Sequence, residues 1–194
     1  YLINVLKRTS PNVFFMYSSS IAVYGDRLVK PDIKTGDPLL PSFGDIYSTT
    51  KIKAEELVMN SQLDWTIFRL SAIMGIRNHK LSKLMFHMPL NTSIEITTPN
   101  DTARAFVNGI EKRDQLSSNI FNLGGGEQCR ITYKELLSRS FEIYGLGELT
   151  FPDKTFAEKN FHCGFYMDGY QLEKIVEFRN DDLVNYLQKC IPYA

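Results

Sequence analysis

The feature that most constrains this chain is an apolar strand that ends in three consecutive serines and is followed, after a loop, by a helix. The strand is predicted at residues 13–16 (Val-Phe-Phe-Met), and the serines occupy 18–20. Turn-forming Gly, Pro and Asp residues fill the loop, and the helix then places Tyr47 and Lys51 one turn apart on one face. In an open parallel α/β sheet, ligands bind at the carboxyl ends of the strands. The sequence therefore predicts an α/β fold with a site where this strand and helix meet.

The residue types at this site suit proton transfer. A tyrosine hydroxyl exchanges protons near neutral pH only if its anion is stabilised. An ammonium group one helical turn away, together with an oxidised nicotinamide, would supply that field, and a serine hydroxyl could hydrogen-bond a substrate oxygen. We therefore predict that Ser20 orients the substrate, Tyr47 is the general acid/base, and Lys51 stabilises the anion and holds the cofactor.

The Tyr-x-x-x-Lys spacing is too short to be specific by itself. Tyr170 and Lys174 have the same spacing, with no serine triplet before them. The alternative interpretation of either pair is that it borders the buried face of an amphipathic helix. The preceding strand and serines are what favour catalysis for the first pair.

Several segments, taken in order, resemble the extended short-chain dehydrogenase/reductases, the NAD-dependent epimerase/dehydratase family. They are Ser-Ser-Ser-Ile-Ala-Val-Tyr-Gly at 18–25, Tyr-Ser-Thr-Thr-Lys-Ile-Lys-Ala-Glu at 47–55, and the segments 66–75, 100–105 and 120–126. The resemblance implies the C-terminal part of a Rossmann-like, doubly wound parallel sheet with a small α/β substrate-binding lobe. Residues 1–75 would form the catalytic part and residues 76–194 mostly the lobe, with room for strands that return to the sheet, in one structural unit.

The resemblance also assigns site residues. Ser20, Tyr47 and Lys51 take the family's catalytic places. The implied cofactor contacts are Ser18, Tyr47, Lys51, Leu70, Ser71, Ala72 and Ile73. The implied cofactor is NAD or NADP, with NAD favoured.

The glycine-rich turn that seats the cofactor pyrophosphate in this family has no counterpart here. The only glycine run, Gly124 to Gly126, follows a predicted strand and is interpreted as a strand-ending turn. We therefore expect the chain to lack the family's Gly-rich N-terminal half. We also expect residues 1–194 alone to bind NAD very weakly or not at all, and the apolar edge of the first strand to need cover from another copy, another chain or further residues.

Departures from the family pattern narrow the expected activity. Ile21 and Ala22 stand where sugar-nucleotide dehydratases carry an acidic pair, so dehydration is disfavoured. Ala72 replaces a substrate-binding asparagine of the epimerases, and no arginine occurs at 94–99. The expected function is an NAD(P)-dependent oxidoreductase or epimerase acting at a secondary alcohol or ketone carbon, of a nucleotide sugar or another substrate. The alternative is a non-catalytic dinucleotide sensor or scaffold of the same fold.

Composition excludes several other classes. The 194 residues carry 22 basic and 22 acidic side chains, so no net charge favours nucleic acid or anionic membrane. No apolar run is long enough to cross a bilayer. Three cysteines and three histidines show no metal-ligand spacing, so no metal is predicted. We expect a cytoplasmic protein with a small-molecule substrate, and the resemblance adds a homodimer.

Local patterns give further expectations. The helix after Tyr47 should bury Ile52, Leu57, Val58 and Met59, and Arg69, in an apolar strand, should pair with an internal carboxylate.

A strand is predicted at 93–98 and then a helix capped by Asn100 or Asp101. Thr132 should cap another helix, and the last helix should begin at Asp181. Residues 79–88 have helical spacing and are interpreted either as a lid or as a structural helix.

Overall fold

A computed structural model describes residues 1–76 and 83–191. Its helices are α1 (Leu2–Thr9), α2 (Ile46–Met59), α3 (Pro99–Gly109), α4 (Arg113–Leu116), α5 (Tyr133–Ile143), α6 (Tyr170–Val176) and α7 (Leu183–Cys190). Its strands are β1 (Phe14–Ser20), β2 (Asp32–Ile33), β3 (Asp64–Leu70), β4 (Ala72–Ile73), β5 (Ser93–Thr97), β6 (Asn119–Leu123), β7 (Arg130–Thr132) and β8 (Phe165–Tyr166).

The central sheet is parallel, with the strand order β1, β3, β6. Ser20 is level with Leu70, and Leu70 is level with Leu123. The three strands therefore end at one edge, and the serines of β1 and the glycines after β6 lie along it. Among the described residues, β1 pairs only with β3.

Helices cover both faces of this sheet. On one face Phe68 and Phe121 pack against Ala105 of α3 and Leu172 of α6. On the other face α2 packs over β1 and β3, because alternate strand residues point to opposite sides. This arrangement confirms the predicted doubly wound α/β fold.

A smaller lobe follows the central sheet. Its strands have the order β4, β5, β7, with β5 antiparallel to β7, and α5 and α7 cover them. The aromatic residues of the tail pack here, with Phe156 against Phe86, Phe151 and Tyr133. Strand β4 of this lobe comes from before residue 76, whereas α3, β6 and α6, which come after it, belong to the central sheet and its cover.

The loop after β1 is tied to the tail of the chain. Strand β2 pairs in parallel with β8, and Tyr166 of β8 packs against Tyr24 and Ile33. The loop between β1 and α2 is therefore anchored in a core of its own.

The N-terminal cap of α3 differs from the prediction. Thr98, not Asn100 or Asp101, is the N-cap, and its hydroxyl accepts a hydrogen bond from the amide of Asp101. Pro99 takes the first helical position, which its fixed φ suits. The predicted cap was wrong because Pro99 can begin the helix, so the capping hydroxyl lies before it, ahead of Asn100 and Asp101.

The predicted buried stripe of α2 was also only partly right. Val58 is buried, but Leu57 is 65% exposed, and the two residues of this helix with 0% exposure, Ser48 and Glu55, are polar. Apolar spacing could not identify that face because Glu55 is buried by pairing with Arg69, far away in sequence.

The remaining local predictions divide between right and wrong. Thr132 caps α5 as predicted, whereas the last helix begins at Leu183, after its cap Asp182, and not at Asp181. Residues 79–82 of the predicted lid or helix lie outside the described residues, and Lys83–His87 forms a short 3₁₀ helix.

No described helix has the length and apolar character needed to cross a membrane. No disulfide joins the three cysteines, all of which are buried. Burial raises the pKa of the Cys129 and Cys163 thiols to about 12.

Candidate active site

The three serines that end β1 have different environments. Ser18 is exposed, and its carbonyl oxygen accepts a hydrogen bond of 2.8 Å from Lys51 Nζ. Ser19 is buried and donates its hydroxyl to Glu55 of α2. Ser20 caps the 3₁₀ helix Ile21–Tyr24, with its Oγ accepting from the amide of Ala22 at 3.2 Å. Because that bond uses only a lone pair, the Ser20 hydroxyl can still donate its proton.

Helix α2 carries the predicted tyrosine and lysine. Asp45 caps the helix by accepting from the Ser48 amide at 3.0 Å, so Tyr47 lies in the first turn and Lys51 in the second. The Tyr47 side chain is half exposed. Lys51 Nζ lies 5.7 Å from the centroid of the Tyr47 ring and 5.1 Å from that of Tyr17. Lys51 thus spans from the Tyr47 ring to the end of β1.

The Lys51 ammonium is incompletely satisfied within the protein. Its hydrogen bond to Ser18 uses one of three donors, and within residues 1–76 and 83–191 no carboxylate forms an ion pair with it. A lysine left with a free charge and free donors at a strand end can bind hydroxyl groups or stabilise an anion.

The other predicted cofactor residues follow β3 at the same edge. Leu70 is level with Ser20, and Ala72 and Ile73 form β4 beside β5. The Ser71 hydroxyl is buried and shares a hydrogen bond of 2.8 Å with Thr97. The structure thus places Leu70 beside the end of β1, whereas Ala72 and Ile73 pair with β5 and the Ser71 side chain is engaged inside the protein.

Behind the serines lies a buried ion pair that attaches α2 to the sheet. Arg69 of β3 donates from Nη2 and Nε to the Glu55 carboxylate, at 2.7 and 3.0 Å. Ser19 donates to the same carboxylate. The predicted internal partner of Arg69 is therefore confirmed as Glu55, which lies one helical turn after Lys51.

The ion pair continues into a longer network. Arg69 Nη1 donates to the Tyr24 hydroxyl at 2.8 Å, and that hydroxyl donates to Asn122 of β6 at 2.8 Å. Asn122 in turn donates to Asp168, which also accepts from the backbone and hydroxyl of Thr35. Burial raises the pKa of Tyr24 to about 12, against the opposing charge of Arg69. Tyr24 therefore stays protonated and acts as a structural donor.

Sequence analysis missed Glu55, Tyr24, Asn122 and Asp168 as supporting residues of the site. A signal existed only for the first, because an arginine in an apolar strand requires a carboxylate. The others lie in separate elements, and only the three-dimensional fold brings them together.

A histidine lies next to the cap of α2. His162 Nδ1 is 3.3 Å from the second carboxylate oxygen of Asp45, and its ring stacks on Phe161. Burial lowers the pKa of His162 below its ordinary value of 6.5, although Asp45 opposes this effect. His162 is thus mainly neutral at neutral pH.

The structure is similar to solved structures of nucleotide-sugar enzymes. MoeE5 in complex with UDP-glucuronic acid and NAD has a TM-score of 0.79 and 18% identity, covering 99% of this chain and 68% of its own. UDP-glucuronic acid 4-epimerase from Bacillus cereus, with the same two ligands, has a TM-score of 0.77 and 18% identity, covering 99% of this chain and 64% of its own. A short-chain dehydrogenase/reductase superfamily protein from Agrobacterium tumefaciens with bound NAD has a TM-score of 0.72 and 16% identity, covering 98% of this chain and 69% of its own.

These likenesses confirm the short-chain dehydrogenase/reductase resemblance at the level of the fold. The chain spans about two thirds of the length of these structures. No protein-family model matches the chain, and no curated protein matches it.

Proposed function

We propose that the protein containing this chain is an NAD-dependent enzyme that oxidises a secondary alcohol carbon or reduces a ketone. It would act as an epimerase when the hydride returns to the opposite face of the carbon. The observation that carries this proposal is the Lys51 ammonium, which lies between the Tyr47 ring and the carbonyl of Ser18 without a carboxylate partner in the described residues. Lys174 also lies over its tyrosine, 5.0 Å from the Tyr170 ring centroid, so the contact with the end of β1 at Ser18 is what distinguishes Lys51.

The residues fit the nicotinamide-ribose end of NAD. Two donors of Lys51 remain for ribose hydroxyls, and Tyr47 is exposed beside them. Ser18 and residues 70–73 stay predicted contacts along the same edge. The preference for NAD over NADP is supported by the NAD present in all three similar structures.

The side chains divide the work of the reaction. When bound, NAD would accept a hydride from the substrate carbon and later return it. Tyr47 would take the hydroxyl proton as the carbonyl forms and give it back on reduction. Lys51 and the positive end of α2 would stabilise the resulting phenolate, and Ser20 would donate its free hydroxyl proton to the substrate oxygen.

The substrate we favour is a nucleotide sugar. MoeE5 binds UDP-glucuronic acid or UDP-glucose, and the Bacillus cereus enzyme is a UDP-glucuronic acid 4-epimerase. Ile21 and Ala22, at the place of the dehydratases' acidic pair, are both buried apolar residues. They supply neither acid nor base, which supports oxidation or epimerisation over elimination.

The experiment incubates the full-length protein and NAD with UDP-glucuronic acid and, separately, with UDP-glucose. Proton NMR of the sugar detects an epimer, and absorbance of the reduced nicotinamide detects net oxidation. We expect turnover of at least one of the two substrates. Tight NAD binding with no turnover of either, and no oxidation of a wider set of alcohols, would instead favour a dinucleotide sensor.

A further inference from the structure

A polar cavity of about 450 Å³ lies beyond the glycine run that follows β6. Its walls include Gly126, Arg130, Arg179, Gln128 and Glu127. It shares no residue with the site formed by Ser20, Tyr47 and Lys51.

Arg179 is oriented in the wall of this cavity by a hydrogen bond to the backbone. Its Nε donates to the carbonyl of Gly124 at 2.9 Å. The guanidinium lies between two glycines, since a Cβ on Gly126 would be 2.8 Å from Nη1 and a Cβ on Gly169 would be 2.9 Å from Nη2. Side chains at these positions would displace it. The two glycines therefore make room for a fixed guanidinium.

The terminal nitrogens of Arg179 have no acceptor in the part of the chain that the structure describes. No carboxylate there pairs with this arginine either. Arg179 is thus oriented by the protein without being neutralised by it, and its two Nη groups form an unused fork of donors.

Arg130 contributes a second guanidinium to the same wall. Its Nε donates to Glu95 at 3.0 Å and its Nη2 to the carbonyl of Tyr166 at 2.9 Å. Its Nη1 makes no hydrogen bond to a described residue. The cavity therefore presents donors from both arginines, although Glu95 offsets the charge of Arg130.

Three carboxylates also line the cavity, and two of them are already engaged. Asp181 accepts from Thr98 and from Lys189 at 2.6 Å, and Asp182 caps α7 and accepts from the Asn185 side chain. Glu127 is exposed and, within residues 1–76 and 83–191, has no side-chain partner. Glu127 and Asp182, neither of which pairs with a cation in the described residues, are thus the sources of unneutralised negative charge here.

We propose that this cavity binds a small phosphorylated molecule, with its phosphate on the forks of Arg179 and Arg130. Guanidinium groups match phosphate oxygens in pairs, which suits an arginine with two free Nη donors. The cavity is much larger than a phosphate ion, so it has space for the organic part of the molecule. The proposal does not depend on the function proposed for Tyr47.

Titration calorimetry of the full chain with inorganic phosphate and with ribose 5-phosphate tests this proposal. We expect ribose 5-phosphate to bind at least about tenfold more tightly than inorganic phosphate, because it also fills the cavity. Arg179→Gln should weaken binding by about tenfold or more. Glu127→Gln should tighten it about twofold, because a repulsive charge is removed from an exposed rim.

The matched control is Arg139→Gln, which removes a positive charge from an exposed pair with Glu135 elsewhere on the surface. Its affinity should equal that of the wild type. No binding of either probe at millimolar concentration, or equal affinity of the Arg179→Gln protein and the wild type, would overturn the proposal. Equal affinity for the two probes would overturn the assignment of a phosphorylated organic ligand. If Arg179→Gln fails to fold by circular dichroism, an unchanged affinity in Glu127→Gln counts against the site.

Discussion

Single residues at the end of β1 show how neighbouring identical side chains acquire different roles. Ser19 points toward α2 and donates its hydroxyl to Glu55. Ser20 lies one position later, and its hydroxyl oxygen only caps the 3₁₀ helix. The difference follows from the alternation of strand side chains, which sends adjacent residues to opposite faces. Ser20 therefore keeps a hydroxyl proton that it can donate to a substrate.

Gly25 ends that 3₁₀ helix in a conformation that other residues rarely adopt. Its φ is +68° and its ψ is −154°, and an added Cβ would lie 1.7 Å from the carbonyl oxygen of Leu40. We expect Gly25→Ala to lower the free energy of unfolding by more than about 3 kcal/mol, through backbone strain and this clash. Urea unfolding followed by circular dichroism measures the loss.

Gly36→Ala is the matched control, because an added Cβ there would meet no atom within 4 Å. Its unfolding free energy should change by less than about 1 kcal/mol. Equal losses in the two variants would show that the close approach of Leu40 to Gly25 is not what requires glycine.

At the scale of elements, α2 is positioned by polar groups more than by an apolar stripe. Its buried face carries Ser48 and Glu55, and the latter joins Arg69 in a pair whose side chains are 0% and 4% exposed. The pair fixes the rotation of the helix, and so determines which way Tyr47 and Lys51 point.

A double-mutant cycle on this pair tests that role in stability. Glu55→Met or Arg69→Met alone should cost about 3–5 kcal/mol of unfolding free energy, because each leaves a buried charge unpaired. The double variant should cost less than the sum by about 2 kcal/mol. Additive losses in urea titrations would show that the two side chains are not coupled.

The start of α2 should respond to pH through His162. The folded-state pKa of His162 is below 6.5, so the unfolded chain binds a proton more readily than the folded chain. The contribution of neutral His162 to the free energy of unfolding is therefore fully present above about pH 6.5. It is lost as the pH falls below that value and through the folded-state pKa.

Comparing the wild type with His162→Gln isolates this contribution from those of the carboxylates. Between about pH 7.5 and about pH 5.5, the wild type should lose more unfolding free energy than the variant. Equal losses, measured by urea titration at both pH values, would show that His162 does not titrate as its burial implies.

How far the sequence could predict these elements depended on the range of the interactions involved. The cap at Thr132 and the strand before the serines follow from neighbouring residues, and both are confirmed. The buried face of α2 depends on Arg69, and the link from Tyr24 to Asp168 joins the 3₁₀ helix after β1, strand β6 and the segment after β8. No local pattern records such contacts, so sequence could identify Tyr47 and Lys51 but not what holds them.

For the whole molecule, the parallel sheet brings two different regions to one edge. The ends of β1 and β3 carry the proposed catalytic and cofactor residues, and the turn after β6 opens into the cavity beside Arg179. The network from Glu55 to Asp168 crosses the sheet between β1 and β6. The two regions therefore lie at the edge of one sheet whose strands are joined by this network.

The most direct test of the central claim is the turnover of Tyr47→Phe in the full-length protein, with NAD and the nucleotide sugar that the wild type converts. The substitution removes only the hydroxyl and keeps the ring, so stability and NAD affinity should change little. Tyr170→Phe, in the second Tyr-x-x-x-Lys pair, is the matched control and should keep normal turnover. We predict that kcat of Tyr47→Phe falls by at least about 100-fold. A kcat close to that of the wild type would contradict the assignment of Tyr47 as the proton-transfer residue.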